Sequence, residues 1–305
     1  MSDTETEKFQ IQRRLTKMSV PCDKLTNAIF HYAPEDFKEI ILDHVECGCI
    51  EGEDHKGKTV VTPYWLGLAE DYVDLSPLTP FHKEVLFAAI SAYEQGYRVL
   101  SYTIILNSLT GTVKSHIWKK QYEAIKEAVH KLMKTIIKVD LEPLLTAFPN
   151  YKKRYKGKSL LQSPLLPSRT LECKLNGQET FAIELCEESP LMTVAKLKHQ
   201  IITYENSSLD IENQKNTENV IVLKNYLLRR IKLMKSPQRK KGLNNHIDIT
   251  TIYQYLGIPL DNRWQKQDVK KIIKETLNHF KETEIIKDFK FIYLGGSEIR
   301  IPITL

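Results

Sequence analysis

One order of features occurs twice along this chain, and it restricts the fold more than any other property of the sequence. The first copy has Ile105, Leu109 and Gly111, then the turn Trp118-Lys119-Lys120-Gln121. A helix with the apolar triplet Ile125, Val129 and Leu132 follows, and then a strand from Ile136 to Leu141. The second copy has Ile252, Leu256 and Gly257, then Trp264-Gln265-Lys266-Gln267, the triplet Ile273, Leu277 and Phe280, and a strand from Ile285 to Tyr293. A short helix, a turn, a long basic helix and a hairpin, in that order, are the parts of a winged-helix module. The repeat is architectural and not residue-exact, because Trp118 precedes its triplet by seven residues and Trp264 by nine. Each tryptophan is expected to pack at the start of its helix.

With 305 residues, 42% of them hydrophobic, the chain is long enough for about two domains with their own cores. No stretch approaches the roughly 20 apolar residues that span a bilayer, and Met1 to Val20 is charged where a signal peptide is apolar. A cytoplasmic protein with no membrane partner is therefore expected. Cys22, Cys47, Cys49, Cys173 and Cys186 are odd in number and scattered, which favours reduced thiols over a disulfide framework.

The net charge of +6 is modest, but it is unevenly spread. Residues 114–138, 151–158, 224–241 and 262–281 together carry +22, which leaves −16 for the rest of the chain. Segregation on that scale has the character of a footprint for a polyanion, and the runs fall on segments that a winged helix turns toward DNA. The plainer alternative is that they are solvated helix faces.

Four regions follow from the pattern: an acidic N-terminal region over 1–75, a first winged-helix domain over 76–190, a connecting helix and linker over 191–217, and a second winged-helix domain over 218–305. In the first region a helix is expected near Pro34 to Val45 and a strand at Thr59-Val60-Val61. Thr79 is placed to cap a helix with Pro80 at its first position, and Gly96 to stop it. Alternating residues on both sides of Asn176-Gly177 predict a hairpin, a candidate first wing. Thr193 to Tyr204 reads as a helix, Glu205 to Thr217 as a polar linker, and Glu218 to Lys235 as a helix stopped by Ser236-Pro237. The closing hairpin turns at Gly295-Gly296, and Pro302, lacking an N–H, places its strand at a sheet edge. The fold class is α+β, mainly helical, with two tandem winged helices and an N-terminal extension.

A helix that enters the major groove needs an apolar stripe toward its own domain and an opposite stripe of Lys, Arg, Asn or Gln. At 100° per residue the second long helix buries Val269, Ile273, Leu277 and Phe280. It presents Gln267, Lys271, Lys274 and Asn278, flanked by Arg263 and Lys270. The first buries Tyr122, Ile125, Val129 and Leu132 and presents His116, Lys120, Lys131 and Lys134, with Glu123 and Glu127 intruding. The second copy therefore has the cleaner reading face, with Arg263, Gln267 and Asn278 suited to bidentate base contacts. Lys152, Lys153 and Arg154 in one loop and Arg239, Lys240 and Lys241 in another add phosphate-binding charge. There is no phosphate loop, no His-x-His pair and no His-Glu-x-x-His, so nothing in the sequence marks a catalytic constellation or a cofactor. His44, Cys47, Cys49 and His55 could hold zinc, but the Cys-x-Cys spacing is unusual, and reduced thiols on a loop are the plainer reading.

Several blocks carry a resemblance: Leu78-Thr79-Pro80-Phe81, Leu109-Thr110-Gly111, Asn176-Gly177-Gln178-Glu179, Glu188-Ser189-Pro190-Leu191, Val194 to Lys198, Leu223 to Arg230 and Trp264 to Asp268. From about Leu78 to the C-terminus the chain resembles the RepA-type replication initiator proteins of plasmids and integrative elements in low-GC Gram-positive bacteria. The resemblance implies a non-catalytic protein that binds repeated double-stranded origin sites and recruits host replication proteins, such as a host initiator or helicase. A homodimer is an open option. The alternatives are a winged-helix transcriptional regulator and a protein-interaction scaffold.

Overall fold

The computed structural model describes residues 14–30, 48–53, 58–68, 77–113, 118–153, 155, 160–175, 178–212, 214–236, 244–259, 262–295 and 298–305. In chain order these form strand β1 (Lys17–Pro21), helix α1 (Lys24–Ile29), strands β2 (Gly48–Glu53) and β3 (Thr59–Leu68), helix α2 (Pro80–Glu94), strand β4 (Val99–Ser101), and helices α3 (Tyr102–Thr110) and α4 (Lys119–Lys134). Next come β5 (Thr135–Asp140), α5 (Glu142–Ala147), β6 (Leu160–Pro164), β7 (Ser168–Leu175), β8 (Gln178–Leu185), α6 (Pro190–Leu197) and β9 (Ile201–Glu205). The chain closes with α7 (Glu218–Lys235), β10 (His246–Asp248), α8 (Ile249–Tyr255), α9 (Arg263–Glu282), β11 (Asp288–Phe289), β12 (Ile292–Gly295) and β13 (Glu298–Thr304). The fold is α+β: helices with small antiparallel sheets.

Local chemistry sets the element ends. Thr79 caps α2 by a reciprocal pair in which its N–H donates to His82 Nδ1 (3.0 Å) and its Oγ1 accepts from the His82 N–H, with Pro80 in the first turn. Gly96, at φ +88°, follows the C-terminus. The α3 helix ends on Gly111, whose φ of +77° suits glycine, and the long α9 starts on an Asn262 side chain that accepts from the Gln265 N–H.

Two parts of the chain repeat one topology. In the first, α2, β4, α3 and α4 precede the β7–β8 hairpin, and β8 lies between β4 and β7. In the second, α7, β10, α8 and α9 precede the final hairpin, and β13 lies between β10 and the β11–β12 side. The first copy carries an insertion. Strand β5, expected next to the basic helix as part of that unit's hairpin, instead joins β2, β3 and β6 in a sheet of order β2-β3-β5-β6.

Described strands of the first 75 residues pair with later parts of the chain: β3 with β5, and β1 with β9. The start of the segment expected as a polar linker over 205–217 is packed against the rest of the chain. The helix expected over 193–204 ends at Leu197, residues 201–205 are strand, and Asn206 and Leu209 are buried. A Cβ on Gly111 would lie 2.5 Å from the Asn206 carbonyl oxygen and 2.6 Å from the Asp210 nitrogen, so this segment is packed against the end of α3.

Polar groups of α7 fasten it to the first copy. The Asn225 amide donates to the Leu109 carbonyl (3.0 Å), and the Lys224 ammonium donates to Thr110 O (3.4 Å), Leu209 O (2.9 Å) and Asn216 Oδ1 (3.0 Å). The Leu109 and Thr110 carbonyls are the last of α3, which would otherwise be buried without partners at the negative end of the helix dipole. Arg229 of α7 makes a buried two-pronged pair with Glu84 of α2, both distances 2.5 Å.

Pro302 corrects the edge-strand expectation, because β13 is flanked on both sides. Ile303 N donates to Asn245 O, toward β10, so by alternation the Pro302 nitrogen points to the other side. There, between β11 and β12, the Pro302 carbonyl accepts from the Lys290 N–H at 3.4 Å.

Candidate nucleic-acid interface

The α9 helix meets both requirements set by its sequence. Val269, Ile273, Leu277 and Phe280 are buried in the common core, while Arg263, Gln267, Lys271, Lys274 and Asn278 are on the outer side and Lys270 is half-buried. The anchoring stripe fixes the helix rotation, so the basic stripe faces outward over the first three turns. The stripe changes character toward its C-terminal end. Asn278 borders a cleft of about 620 Å³ shared with Asp210, Glu212, Glu275 and Glu282, and Gln214 donates to Glu275 there at 3.3 Å. Burial lowers the pKa of His279 in the same cleft, which keeps it uncharged beside these carboxylates at neutral pH. The exposed basic residues of this stripe thus run from Arg263 to Lys274, and Asn278 lies beside carboxylates.

On α4 the core side is as expected, with Ile125, Val129 and Leu132 buried and Tyr122 partly buried. Lys131 is a correction. It is only 1% exposed and its Nζ lies 3.4 Å from the Pro77 carbonyl oxygen, so it serves the interior and not the outer face. Its position explains this: at about 100° per residue it lies next to Leu132 and one turn beyond Ala128, which is also buried. Lys134 is half-buried, Lys120 is exposed near the Glu218 carboxylate, and Glu123 and Glu127 are exposed on the same helix. Lys126 places its ammonium 5.1 Å from the centre of the Phe181 ring.

Charge in these runs has therefore divided into two uses. Lys131, Lys224 and Arg229 are interior structural cations, and the remaining described basic residues of α9 are surface charge. Lys152 and Lys153 are exposed after the short turn at Pro149–Tyr151. Arg154, Arg239, Lys240, Lys241 and His116 lie outside the described residues, as do the expected helix over 34–45, the Asn176-Gly177 turn and His44, Cys47 and His55 of the possible metal cluster. Among the described residues no group of His, Cys, Asp and Glu is placed to hold a metal, and no helix is long and apolar enough to cross a membrane.

The tryptophans are the second correction. Trp118 is 71% exposed and Trp264 82% exposed, so neither packs into its domain. The signal was present in the sequence: Trp264 is nine residues before Ile273, about 180° around the helix and opposite the buried stripe. Each therefore presents an aromatic surface at the N-terminal end of a long helix, beside Lys119 and Lys120 in one case and Arg263 in the other.

No protein-family model matches the chain, and no curated protein is significantly similar to it. Among solved structures, the chain is similar to a selenomethionine derivative of domains 2 and 3 of RctB at 14% identity and a TM-score of 0.39, over 89% of this chain and 99% of that one. A second structure of RctB domains 2–3 is similar at 12% identity and a TM-score of 0.40, over 86% of this chain and 92% of that one.

Proposed function

We propose that this chain is a non-catalytic, sequence-specific double-stranded DNA-binding protein of the replication-initiator type, built on two winged-helix modules, with α9 as its principal reading helix. One observation carries the proposal: the outer face of α9 presents Arg263, Gln267, Lys271 and Lys274 while its opposite face is fixed in the core. Arg and Gln match base edges with paired hydrogen bonds, and the lysines supply phosphate charge. In both copies the short strand pairs with the last strand of the hairpin, the strand order of a winged helix, which supports the module assignment. The sequence blocks from Leu78 to the C-terminus support the initiator assignment over other uses of the same modules. The exposed Trp264 joins the interface at the helix start, where its ring can lie on sugar or base surface.

The first copy contributes less to reading, since Lys131 is interior and Glu123 and Glu127 interrupt the α4 face. The Arg229–Glu84 pair and the buried Asn206 and Leu209 tie the copies to one another, so in this reading the spacing of DNA contacts follows from the fold and not from tether length. Host replication proteins and a second copy of the chain are the further partners in this reading.

Footprinting the purified protein on DNA flanking its own gene tests the proposal. Protection of several spaced repeats is the expected result. A single protected palindrome beside a promoter would make the protein a regulator, and no protection at moderate salt would leave a protein-interaction scaffold.

A further inference from the structure

A second cavity, of about 250 Å³, lies on the seam between the two copies, away from the α9 stripe. Its walls include Asn27 of α1, Lys83 and Phe87 of α2, Arg230 of α7, and Thr251 and Tyr255 of α8, and among the described residues no carboxylate lines it. Lys83 is buried, and its ammonium makes one hydrogen bond among the described residues, to Asn27 Oδ1 at 2.8 Å. It lies 5.6 Å from the Phe87 ring centre and 5.5 Å from that of Tyr255.

The carboxylates near this ammonium are occupied elsewhere. Both oxygens of Glu84 receive the Arg229 guanidinium, and both oxygens of Asp23 receive the N–H and hydroxyl of Thr26. The Tyr255 hydroxyl is buried near the Arg229 guanidinium, itself a donor, and its own proton meets no acceptor. An ammonium has three N–H donors and a phenol one, and a buried donor left unused is unfavourable unless something fills the role. Burial, followed by the Arg229 charge, lowers the Lys83 pKa to about 7, against the smaller opposing pull of the Glu84 and Asp23 charges.

We propose that this cavity is a binding site for a small phosphate-bearing anion, held by the Lys83 ammonium and the Tyr255 hydroxyl, with Arg230 and Thr251 at its edge. A tetrahedral oxyanion offers acceptors in several directions to donors that converge from three helices, and a phosphate needs both charge and hydrogen bonds. The volume lies below the range of about 300 Å³ and upward that drug-sized ligands occupy, so the ligand is free phosphate or a short phosphate monoester. Because its donors come from α2 on one copy and from α7 and α8 on the other, the bound anion ties the two copies together and stabilises the folded chain by mass action. The site stands independently of any DNA contact.

The test uses the full chain and two probes, inorganic phosphate and glycerol 3-phosphate, each titrated at constant ionic strength by calorimetry, with thermal unfolding in parallel. Saturable binding and a rise in unfolding temperature are expected. Tyr255→Phe removes only a hydroxyl whose proton is undonated in the unliganded protein. It should leave the fold intact and weaken binding about tenfold or more. Lys83→Met should abolish binding, while Lys271→Ala with Lys274→Ala should leave it unchanged. Tighter binding of the ester would identify a phosphate monoester as the ligand; binding of the ion alone would identify free phosphate. The proposal is overturned by an absence of saturable binding up to about 20 mM. It is equally overturned if Tyr255→Phe binds as the parent does, or if binding disappears with the α9 lysines.

Discussion

Removing the Glu84 charge tests how the two copies are held together. The Arg229–Glu84 pair is two-pronged at 2.5 Å, with the carboxylate side chain 0% and the guanidinium 9% exposed, and the guanidinium also lies 5.1 Å over the Phe87 ring. Glu84→Gln keeps the shape but leaves a guanidinium in a site that excludes water. Deleting one partner of a buried pair destabilises by about 3 to 5 kcal/mol, a large share of the roughly 5 to 15 kcal/mol that a folded protein has. Replacing both partners, Glu84→Leu with Arg229→Met, removes the two desolvation penalties together and should bring stability back to within about 2 kcal/mol of the parent. Urea unfolding followed by circular dichroism reads both variants. Since the pair joins α2 to α7, the single variant should also unfold in two steps, the second copy separating first. A Glu84→Gln protein within about 1 kcal/mol of the parent, with the same denaturant slope and one transition, would show that the pair does not hold the seam.

Two further outcomes follow from buried groups. Lys83 is held near a pKa of about 7 in the folded protein and returns to its ordinary value on unfolding, so above pH 7 the unfolded chain binds the extra proton. Parent stability relative to Lys83→Met should therefore rise with pH, by about 1 kcal/mol between pH 7 and 8, and lie flat below pH 6. The groups around it are Glu84, Arg229, Asp23, Cys22, Arg230, Tyr226 and Tyr255. All are present in both proteins and cancel in the difference; a gap that does not change over pH 7 to 8 would refute the assignment. Gly111→Ala combines a φ of +77° with a Cβ 2.5 to 2.8 Å from the backbone of residues 206–210, and should destabilise by about 2 kcal/mol or more in the same urea assay. A destabilisation below about 0.5 kcal/mol would mean that this segment can move away freely.

Much of this fold could be read along the chain because it is written in local chemistry. The Thr79-Pro80 start, the Gly96 and Gly111 stops, the strands on either side of Asn176-Gly177 and the buried stripe of α9 all depend on residues within a few positions of one another. What could not be read depends on distant partners. Nothing near Ile136 says that β5 leaves its own copy to pair with β3, or that residues 17–21 pair with 201–205. Charge was the hardest signal. Lys131, Lys224 and Arg229 come from basic runs of the same kind as the one that holds Lys271 and Lys274, and only their neighbours, the Pro77, Thr110 and Leu209 carbonyls and the Glu84 carboxylate, decide that they point inward. On α9 the division into buried and exposed residues was legible down to individual positions. The acidic surroundings of Asn278 were not, since Asp210 and Glu212 come from a segment that reads as a polar linker.

The salt dependence of DNA binding tests the central claim most directly. Fluorescence anisotropy of the full chain on a protected fragment, from 50 to 200 mM salt, should give a steep linear fall of log K with log salt. Lys271→Ala with Lys274→Ala should reduce that slope by about 1.8, at about 0.9 for each phosphate that is no longer neutralised, without shifting the sequence preference. Gln267→Ala should leave the slope and weaken preference for the protected sequence by about 1 to 3 kcal/mol. An unchanged slope in the lysine variant, with protection of the same sites, would contradict the account by removing α9 from the interface.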